Sequence, residues 1–231
     1  MADGTRAAIR GVLLEGLNFA GKTTTARLVA AALRARGVSA DARGSYICET
    51  PVTAALQGMA HAAVGASSGR PFPDPDLVRP FNVAKSALLI VDSALAVQAP
   101  YTRHHGVALV QDRHWFTQYC NNEYFNPGEC YLGDQWRVAC APRFTVQAYL
   151  TCSSQVRVRR CADRPDDRHG LNKYFRSHID RLNDFDEFCI EKLDDQSWIV
   201  VNTDKKSSGD VAEILTGEFL RRSAISMSVT H

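Results

Sequence analysis

The sequence predicts an α/β fold in which about five parallel strands lie between two layers of helices. Short apolar segments alternate along the chain with longer segments of helical spacing, a pattern typical of a parallel sheet covered on both faces. The first apolar segment also runs into a glycine turn and then a helix, as a buried parallel strand does. With 231 residues, of which 45% are hydrophobic, the chain can bury one sizeable core. We therefore expect a single domain over residues 1–231.

Strands are predicted where a short apolar run stops at a turn or a polar residue, over residues 9–14, 45–48, 107–110, 144–150 and 198–201. Helices are predicted where apolar residues recur every three or four positions, over residues 22–36, 81–98, 155–161, 171–192 and 211–220. Glycines, prolines and polar residues predict irregular chain over residues 65–80, 121–133 and 164–170.

Composition narrows the class of protein. The formal net charge of +2 is too small to indicate a nucleic acid polymer as partner. The sequence contains no run of about 18 consecutive apolar residues, which a bilayer-spanning helix would need. The first six residues also lack the apolar core of a secretory signal. Seven cysteines without a C-x-x-C pair predict reduced thiols, with neither a disulfide framework nor a zinc site. We expect a cytoplasmic protein that binds no membrane.

Residues 16–23 read Gly-Leu-Asn-Phe-Ala-Gly-Lys-Thr and match G-x-x-x-x-G-K-[ST] at every fixed position. In this phosphate-binding P-loop, Gly16 and Gly21 let the backbone turn with its amides facing inward. Lys22 brings a charge to the β and γ phosphates, and the Thr23 hydroxyl can reach Mg²⁺. The motif predicts ATP and Mg²⁺ as cofactors. The predicted nucleotide-binding residues are Gly16, Asn18, Ala20, Gly21, Lys22, Thr23 and Thr24.

Further charged residues follow the third and fourth predicted strands. Asp112 ends the third strand, where P-loop enzymes carry the acidic residue that holds Mg²⁺, so Thr23 and Asp112 are the predicted metal ligands. Arg113 can reach an anionic acceptor with a bidentate fork. An arginine cluster predicts a cationic lid over about residues 157–172 that closes on the phosphates and excludes water, the alternative being a solvated basic helix face. The cluster comprises Arg157, Arg159, Arg160, Arg164 and Arg168.

These features in this order resemble those of thymidylate kinases and, more distantly, of deoxynucleoside kinases, from about residue 9 to residue 221. The matching stretches are Glu15-Gly16 through Thr25, Leu88-Leu89-Ile90-Val91-Asp92, Val110-Gln111-Asp112-Arg113-His114, and Tyr149-Leu150 before the arginines. The resemblance implies a P-loop NTPase fold, a three-layer α/β/α arrangement with a helical lid. It also implies a kinase that moves the ATP γ-phosphoryl group to a nucleoside monophosphate or nucleotide-like acceptor.

The resemblance assigns roles to individual residues. Asp112 would serve the metal and Arg113 the acceptor phosphate. Because the P-loop carries no arginine, lid arginines, with Arg160 and Arg164 as candidates, would join Lys22 in supplying catalytic charge. His114 is expected to position its neighbours rather than to transfer a proton. The helix at residues 81–98 resembles the dimer-forming region of the family, which suggests a homodimer.

Two departures from thymidylate kinases leave the acceptor open. The stretch Cys48-Glu49-Thr50-Pro51-Val52 lacks the arginine that contacts the acceptor phosphate, and Asp92-Ser93 lacks the arginine that reads thymine. The stretch after Cys48 is closer to the Glu-Pro-Val of deoxynucleoside kinases, which makes Glu49 a candidate general base for a hydroxyl acceptor. The alternative is that Glu49 only orders Arg113 or Lys22. A regulatory NTP-binding switch is the alternative of another class.

Three further points concern the acceptor side. The missing phosphate contact could come from Arg43, Arg70 or Arg79. Residues 119–141 match no part of the family pattern, so they are the expected place for an altered specificity. A group of aromatic residues either walls the acceptor pocket or packs in the core. This group is Trp115, Phe116, Tyr119, Tyr124 and Phe125.

Overall fold

The computed structural model describes residues 6–44, 46–66, 75–98, 106–128, 132–163, 179–193 and 197–228. Its strands are β1 (Ala8–Glu15), β2 (Ala40–Gly44), β3 (Ala108–Asp112), β4 (Arg143–Thr151) and β5 (Trp198–Asn202). Its helices are α1 (Lys22–Ala35), α2 (Pro51–Ala66), α3 (Pro75–Val97), α4 (Phe116–Phe125), α5 (Asp134–Ala139), α6 (Ser154–Ala162), α7 (Ile179–Glu191) and α8 (Ser208–Ser228).

The five strands form one parallel sheet in the order β2-β3-β1-β4-β5. Alternate residues of the central strands point to opposite faces, and each face is covered by helices. One face of the sheet packs against α1 and α8 through residues such as Val29 and Phe219, and the other against α3, α4 and α7 through residues such as Leu89, Phe116 and Phe185. The predicted P-loop NTPase α/β/α fold with five parallel strands is confirmed.

The second strand lies earlier in the chain than predicted. β2 covers Ala40–Gly44, and each of its residues pairs with β3, from Ala40 beside Ala108 to Gly44 beside Asp112. Its sequence is Ala-Asp-Ala-Arg-Gly at the edge of the sheet, so no apolar run marks it. The prediction of a strand at residues 45–48 was wrong, because the apolar residues there lie beyond β2 and are buried in a turn.

Two predictions of irregular chain were also wrong. Residues 75–80 belong to α3, although Pro80 has no amide to donate within the helix. Residues 121–125 belong to α4, where the Gln118 side chain donates to the side-chain oxygen of Asn122 at 2.9 Å. Buried side-chain bonds of this kind outweigh the weak helix propensity of asparagine. Residues 67–74 and 164–178, which include most of the predicted lid and the start of the helix predicted at 171, lie outside the described residues.

Among the described residues, one helix segment, Arg79–Val97, is long and apolar enough to cross a membrane by length and composition alone. The segment contains Lys85 and Asp92, and Asp92 is fully buried in hydrogen bonds to other parts of the protein. A core helix passes the same test, so this finding is weak as an indication of a membrane span.

The described cysteines are free thiols, namely Cys48, Cys120, Cys140, Cys152, Cys161 and Cys189. All of them except Cys140 are buried. Burial, followed by the neighbouring Asp92 carboxylate, raises the pKa of Cys48 to about 12, so this thiol stays protonated near neutral pH. These cysteines behave as small apolar side chains, while Cys130 lies outside the described residues.

Candidate active site

The P-loop connects β1 to α1 and depends on glycine at both ends. Gly16 has φ 126° and Gly21 has φ 94°, in the region that side chains disfavour. A Cβ atom on Gly16 would also lie 2.1 Å from the carbonyl oxygen of Leu150 on β4. The loop therefore fits against the sheet only with glycine at this position.

Lys22 is held inside the loop. Its Nζ atom donates to the backbone carbonyl of Leu17 at 2.6 Å, and the residue is buried. Burial first, and the nearby Arg113 charge second, hold the pKa of Lys22 well below its ordinary value. A bound anion would favour the charged form again, so the loop is electrostatically prepared for phosphate.

Thr23 and Asp112 come together at the edge of the sheet where β1 and β3 end. The Thr23 Oγ1 atom donates to Asp112 Oδ2 at 2.5 Å. A hydroxyl and a carboxylate are hard oxygen ligands of the kind Mg²⁺ uses alongside phosphate oxygens and water. The described residues hold no group of three or more His, Cys, Asp or Glu that could form an all-protein metal site. This pair fits a metal ion that is brought together with a nucleotide.

Arg113 follows directly and has an unusual backbone conformation, with φ 65°. Its amide donates to the Leu14 carbonyl at 2.9 Å, and its guanidinium donates to the Asn18 side-chain oxygen. The guanidinium Nε is buried and has no hydrogen-bond partner among the described residues. Arg113 thus joins the P-loop to the acceptor side and retains a free donor. The remaining predicted nucleotide-binding residues flank this region, with Ala20 buried and Thr24 exposed.

Glu15 is a buried carboxylate that the sequence analysis did not assign. It accepts from the amides of His114 at 2.9 Å and Phe116 at 3.0 Å, and from the Thr117 hydroxyl at 2.6 Å. These bonds satisfy amides at the start of α4, which would otherwise be unpaired at a helix N-terminus. Its signal in the sequence is an acidic residue directly after the apolar run Val12-Leu13-Leu14.

Asp92 on α3 holds two chain segments of the acceptor side. Its carboxylate accepts from the amides of Ile47 at 2.6 Å and Cys48 at 2.7 Å, and Oδ2 lies 2.8 Å from His114 Nε2. His114 thus links Asp92 to the segment that follows β3. Ser93, at the position of the missing thymine-reading arginine, is also buried.

Glu49 lies just beyond this turn and is partly exposed. Its Oε1 atom forms an ion pair with Arg43 Nη1 at 2.5 Å, and the Glu49 side chain is 46% exposed. Arg43 also donates from Nε to Asp41 at 2.9 Å. The geometry brings one of the three candidate replacement arginines to the candidate base. Arg79 is exposed on α3, and Arg70 lies outside the described residues.

Two of the described lid arginines, Arg157 and Arg160, donate to backbone carbonyls of the P-loop, whereas Arg159 is exposed. Arg157 is fully buried, pairs with Asp186 on α7 at 2.6 Å and donates to the Asn18 carbonyl at 2.9 Å. Arg160 donates to the Phe19 carbonyl at 3.1 Å and to the Thr203 carbonyl at 2.8 Å. Both fix backbone around the loop, while Arg164 and Arg168 lie outside the described residues.

The aromatic residues after Arg113 pack in the core. Trp115, Phe116 and Tyr119 are each at most 5% exposed, and Trp115 and Phe116 contact Trp198 of β5. Tyr124 and Phe125 both pack against Phe185 of α7. Of the two possibilities for this group, the structure favours core packing.

Lys85 is a partly buried lysine that the sequence analysis did not assign. It lies on α3, two helical turns before Asp92, and its Nζ atom donates to the Gln57 side-chain oxygen of α2 at 3.2 Å. Burial first and the Arg113 charge second lower the pKa of Lys85 to about 8. Its signal in the sequence is that it is the single cation of the helix predicted over residues 81–98.

The fold is of the P-loop NTPase type, and comparisons with known proteins find a solved structure with a similar fold. No family model and no curated protein matches the sequence. A solved structure that does match is a thymidylate kinase from Candida albicans, described as revealing the origin of broad substrate specificity and a novel structural element. The match covers 93% of this chain and 92% of that chain, with a TM-score of 0.57 and 15% sequence identity. The chain has a thymidylate kinase-like fold.

Proposed function

We propose that the protein is an ATP- and Mg²⁺-dependent phosphotransferase that moves the γ-phosphoryl group to a nucleoside monophosphate or nucleotide-like acceptor. The observation that carries this proposal is the meeting of the P-loop, the Thr23–Asp112 pair and Arg113 at one edge of the sheet. A kinase needs both a donor site and a charged acceptor site within reach of each other. The thymidylate kinase-like fold supports the same class of reaction.

On the donor side, the loop from Gly16 to Thr24 would hold ATP, with Lys22 against the β and γ phosphates. Thr23 and Asp112 would hold Mg²⁺, which when bound neutralises phosphate charge. Lys22 is already confined near the phosphate position by its bond to Leu17, so little side-chain freedom is lost on binding.

On the acceptor side, Arg113 would orient an anionic group of the acceptor, and Arg43 supplies a second guanidinium nearby. Arg160 and Arg164 remain candidates for stabilising the transferring group. Arg160 contacts the P-loop carbonyl of Phe19, which is a suitable starting point for a side chain that turns toward bound phosphate. A closed lid would also exclude the water that otherwise hydrolyses ATP.

A second candidate is a nucleoside-type kinase in which Glu49 takes a proton from a hydroxyl acceptor. The observation that favours it is the partly exposed Glu49 carboxylate, which lies just beyond the turn held by Asp92. The guanidinium of Arg43 beside this carboxylate also suits an acceptor phosphate, and the monophosphate acceptor comes first for this reason.

The experiment is a coupled assay of ATP consumption with Mg²⁺, run over matched nucleosides and their 5′-monophosphates. We expect turnover that depends on one acceptor, and loss of that turnover in Lys22→Met. ATP consumption that is independent of every acceptor would contradict the kinase proposal and favour the NTP-binding switch.

The proposal includes a cytoplasmic homodimer. α3 presents Val83, Ile90 and Val97 at intervals of seven residues, each between 38% and 43% exposed. Val52 and Met59 of the neighbouring α2 are also exposed. An apolar stripe on two packed helices is suited to a second copy of the chain.

A further inference from the structure

Lys85 has an unusual place for a lysine. Its ammonium group can donate three hydrogen bonds, and among the described residues its partner is the neutral side-chain oxygen of Gln57. Gln57 is in turn fixed by His61, whose Nε2 atom lies 2.5 Å from the Gln57 side-chain nitrogen. The lysine is therefore held in a defined position by an α2 residue, without a carboxylate partner within the described part of the chain.

The charged groups around Lys85 do not compensate its positive charge. The described cation whose charge acts on Lys85 is Arg113, and the Arg113 guanidinium contacts the neutral Asn18 side chain. The two carboxylates that act on Lys85, Asp92 and Glu15, are already occupied by backbone amides and by His114 or Thr117. Two cations thus share a partly buried region whose described anions are engaged elsewhere. Such a region is suited to an anion that arrives with a ligand.

We propose that Lys85, together with Arg113, binds the phosphate of the acceptor and replaces the arginine that the segment after β2 lacks. The ligand class is a nucleoside 5′-monophosphate, because a phosphate dianion has enough acceptor oxygens for the Lys85 ammonium group, which has Gln57 as its partner, and for the Arg113 Nε, which lacks a partner among the described residues. This inference rests on the proposed function and deepens it, since it selects the phosphate acceptor over the hydroxyl acceptor.

The first test measures binding without turnover. Wild type, Lys85→Met and Lys85→Arg are titrated by calorimetry with a panel of nucleoside 5′-monophosphates and with the matching nucleosides. Lys85→Met should weaken monophosphate binding by about 10- to 100-fold, as expected for one charge-assisted hydrogen bond, and leave nucleoside binding within about threefold. Lys85→Arg should recover most of the loss. Lys192→Met, which changes a partly exposed lysine just after the end of α7, is the matched control.

Three outcomes overturn the inference. The first is monophosphate binding by Lys85→Met within about twofold of wild type. The second is an equal loss for monophosphate and nucleoside, which would place Lys85 against the base or sugar. The third is a wild type that binds none of the monophosphates. A monophosphate that binds through Lys85 but is never phosphorylated would contradict the proposed function alone, so the two failures are distinguishable.

The Tm of Lys85→Met distinguishes a ligand-binding lysine from a structural one, because removing a structural lysine would lower the Tm. The depressed pKa means that charged Lys85 costs folding free energy below its unfolded-state pKa, and this cost is complete at pH 7, below the folded value of about 8. Lys85→Met should therefore raise the Tm at pH 7, by about 2 °C or more for a chain of this size. A lower Tm in Lys85→Met would identify a structural role and overturn the inference.

The pH dependence of monophosphate affinity follows from the groups around Lys85. The groups that face Lys85 are Arg113 after β3, Asp92 on α3, Glu15 on β1, and Gln57 with His61 on α2. Monophosphate affinity in wild type should fall as the pH rises above about 8, because Lys85 loses its proton there. Lys85→Arg should hold its affinity to pH 9.5, since arginine stays charged. An unchanged profile in Lys85→Arg contradicts the proposal.

Discussion

At the scale of single residues, three carboxylates on the acceptor side have different surroundings. Glu15 and Asp92 are fully buried, and their oxygens accept hydrogen bonds from backbone amides. Glu49 is 46% exposed and pairs with Arg43. A carboxylate that is occupied by amides holds the fold, whereas an exposed one can meet a substrate. Glu49 is therefore the acceptor-side carboxylate to test for proton transfer.

Glu49→Gln separates the two acceptor chemistries. For a monophosphate acceptor, kcat should stay within about threefold of wild type, because an anionic phosphate needs no general base. For a hydroxyl acceptor, kcat should fall by about 100-fold or more. Steady-state kinetics with both acceptors measures the difference, and Glu191→Gln on α7 is the control. A large loss of kcat with a monophosphate would show that our ordering of the two candidates is wrong.

Asp112→Asn tests the metal pair. The amide keeps the shape of the side chain but removes its charge, so the Mg²⁺ concentration for half-maximal turnover should rise by about 10-fold or more. The measurement is a Mg²⁺ titration at saturating ATP and acceptor, with Asp180→Asn as a surface control. An unchanged Mg²⁺ requirement would remove Asp112 from the metal site.

At the scale of secondary-structure elements, Asp186 of α7 links the sheet, α6 and the P-loop. It accepts from the Tyr149 hydroxyl at 2.7 Å, from the Thr151 hydroxyl at 2.6 Å and from Arg157 at 2.6 Å. Arg157 then donates to the Asn18 carbonyl of the loop. α6, which carries the first residues of the predicted lid, is thus attached to α7 by one buried ion pair, and Arg157 of that pair also contacts the P-loop.

Asp186→Asn should destabilise the protein by about 3–5 kcal/mol, because it leaves the Arg157 charge buried without its partner. Denaturant unfolding measures this loss, and Asp184→Asn, an exposed change on the same helix, is the matched control. The KM for ATP should rise as well, since the loop loses a fixed contact. A loss below about 1 kcal/mol would mean that Arg157 is compensated by other groups.

At the scale of the whole molecule, the exposed stripe on α2 and α3 bears on assembly. Burying Val83, Ile90 and Val97 against a second copy would remove apolar surface from water, and the seven-residue spacing keeps all three on one face.

Ile90→Glu should convert the dimer into a monomer, because a charge at the centre of an apolar interface costs several kcal/mol. Light scattering after size exclusion measures the mass at micromolar concentration. Ile214→Glu on α8, similarly exposed at 43%, should leave the mass unchanged. A wild type that is already monomeric would contradict the homodimer.

Much of the donor site was predictable because its residues are neighbours in the chain. Gly16, Lys22 and Thr23 belong to one loop, and Asp112 and Arg113 end an apolar strand whose pattern is local. The order of apolar and helical segments likewise predicted the class of fold. Such features depend on the spacing of adjacent residues, which a sequence displays directly.

The acceptor side depended on contacts between segments far apart in the chain. The edge strand β2 is fixed by its pairing with β3, and its own residues carry no apolar pattern. Asp92 meets Cys48 across 44 positions, and Lys85 meets Gln57 across 28. Periodicity along the chain cannot reveal such pairings, because they form only when segments far apart in the sequence pack together. The sequence by itself determined the phosphate-binding loop and the class of fold, whereas the place of β2 and the surroundings of Lys85 and Glu49 were decided by the tertiary structure alone.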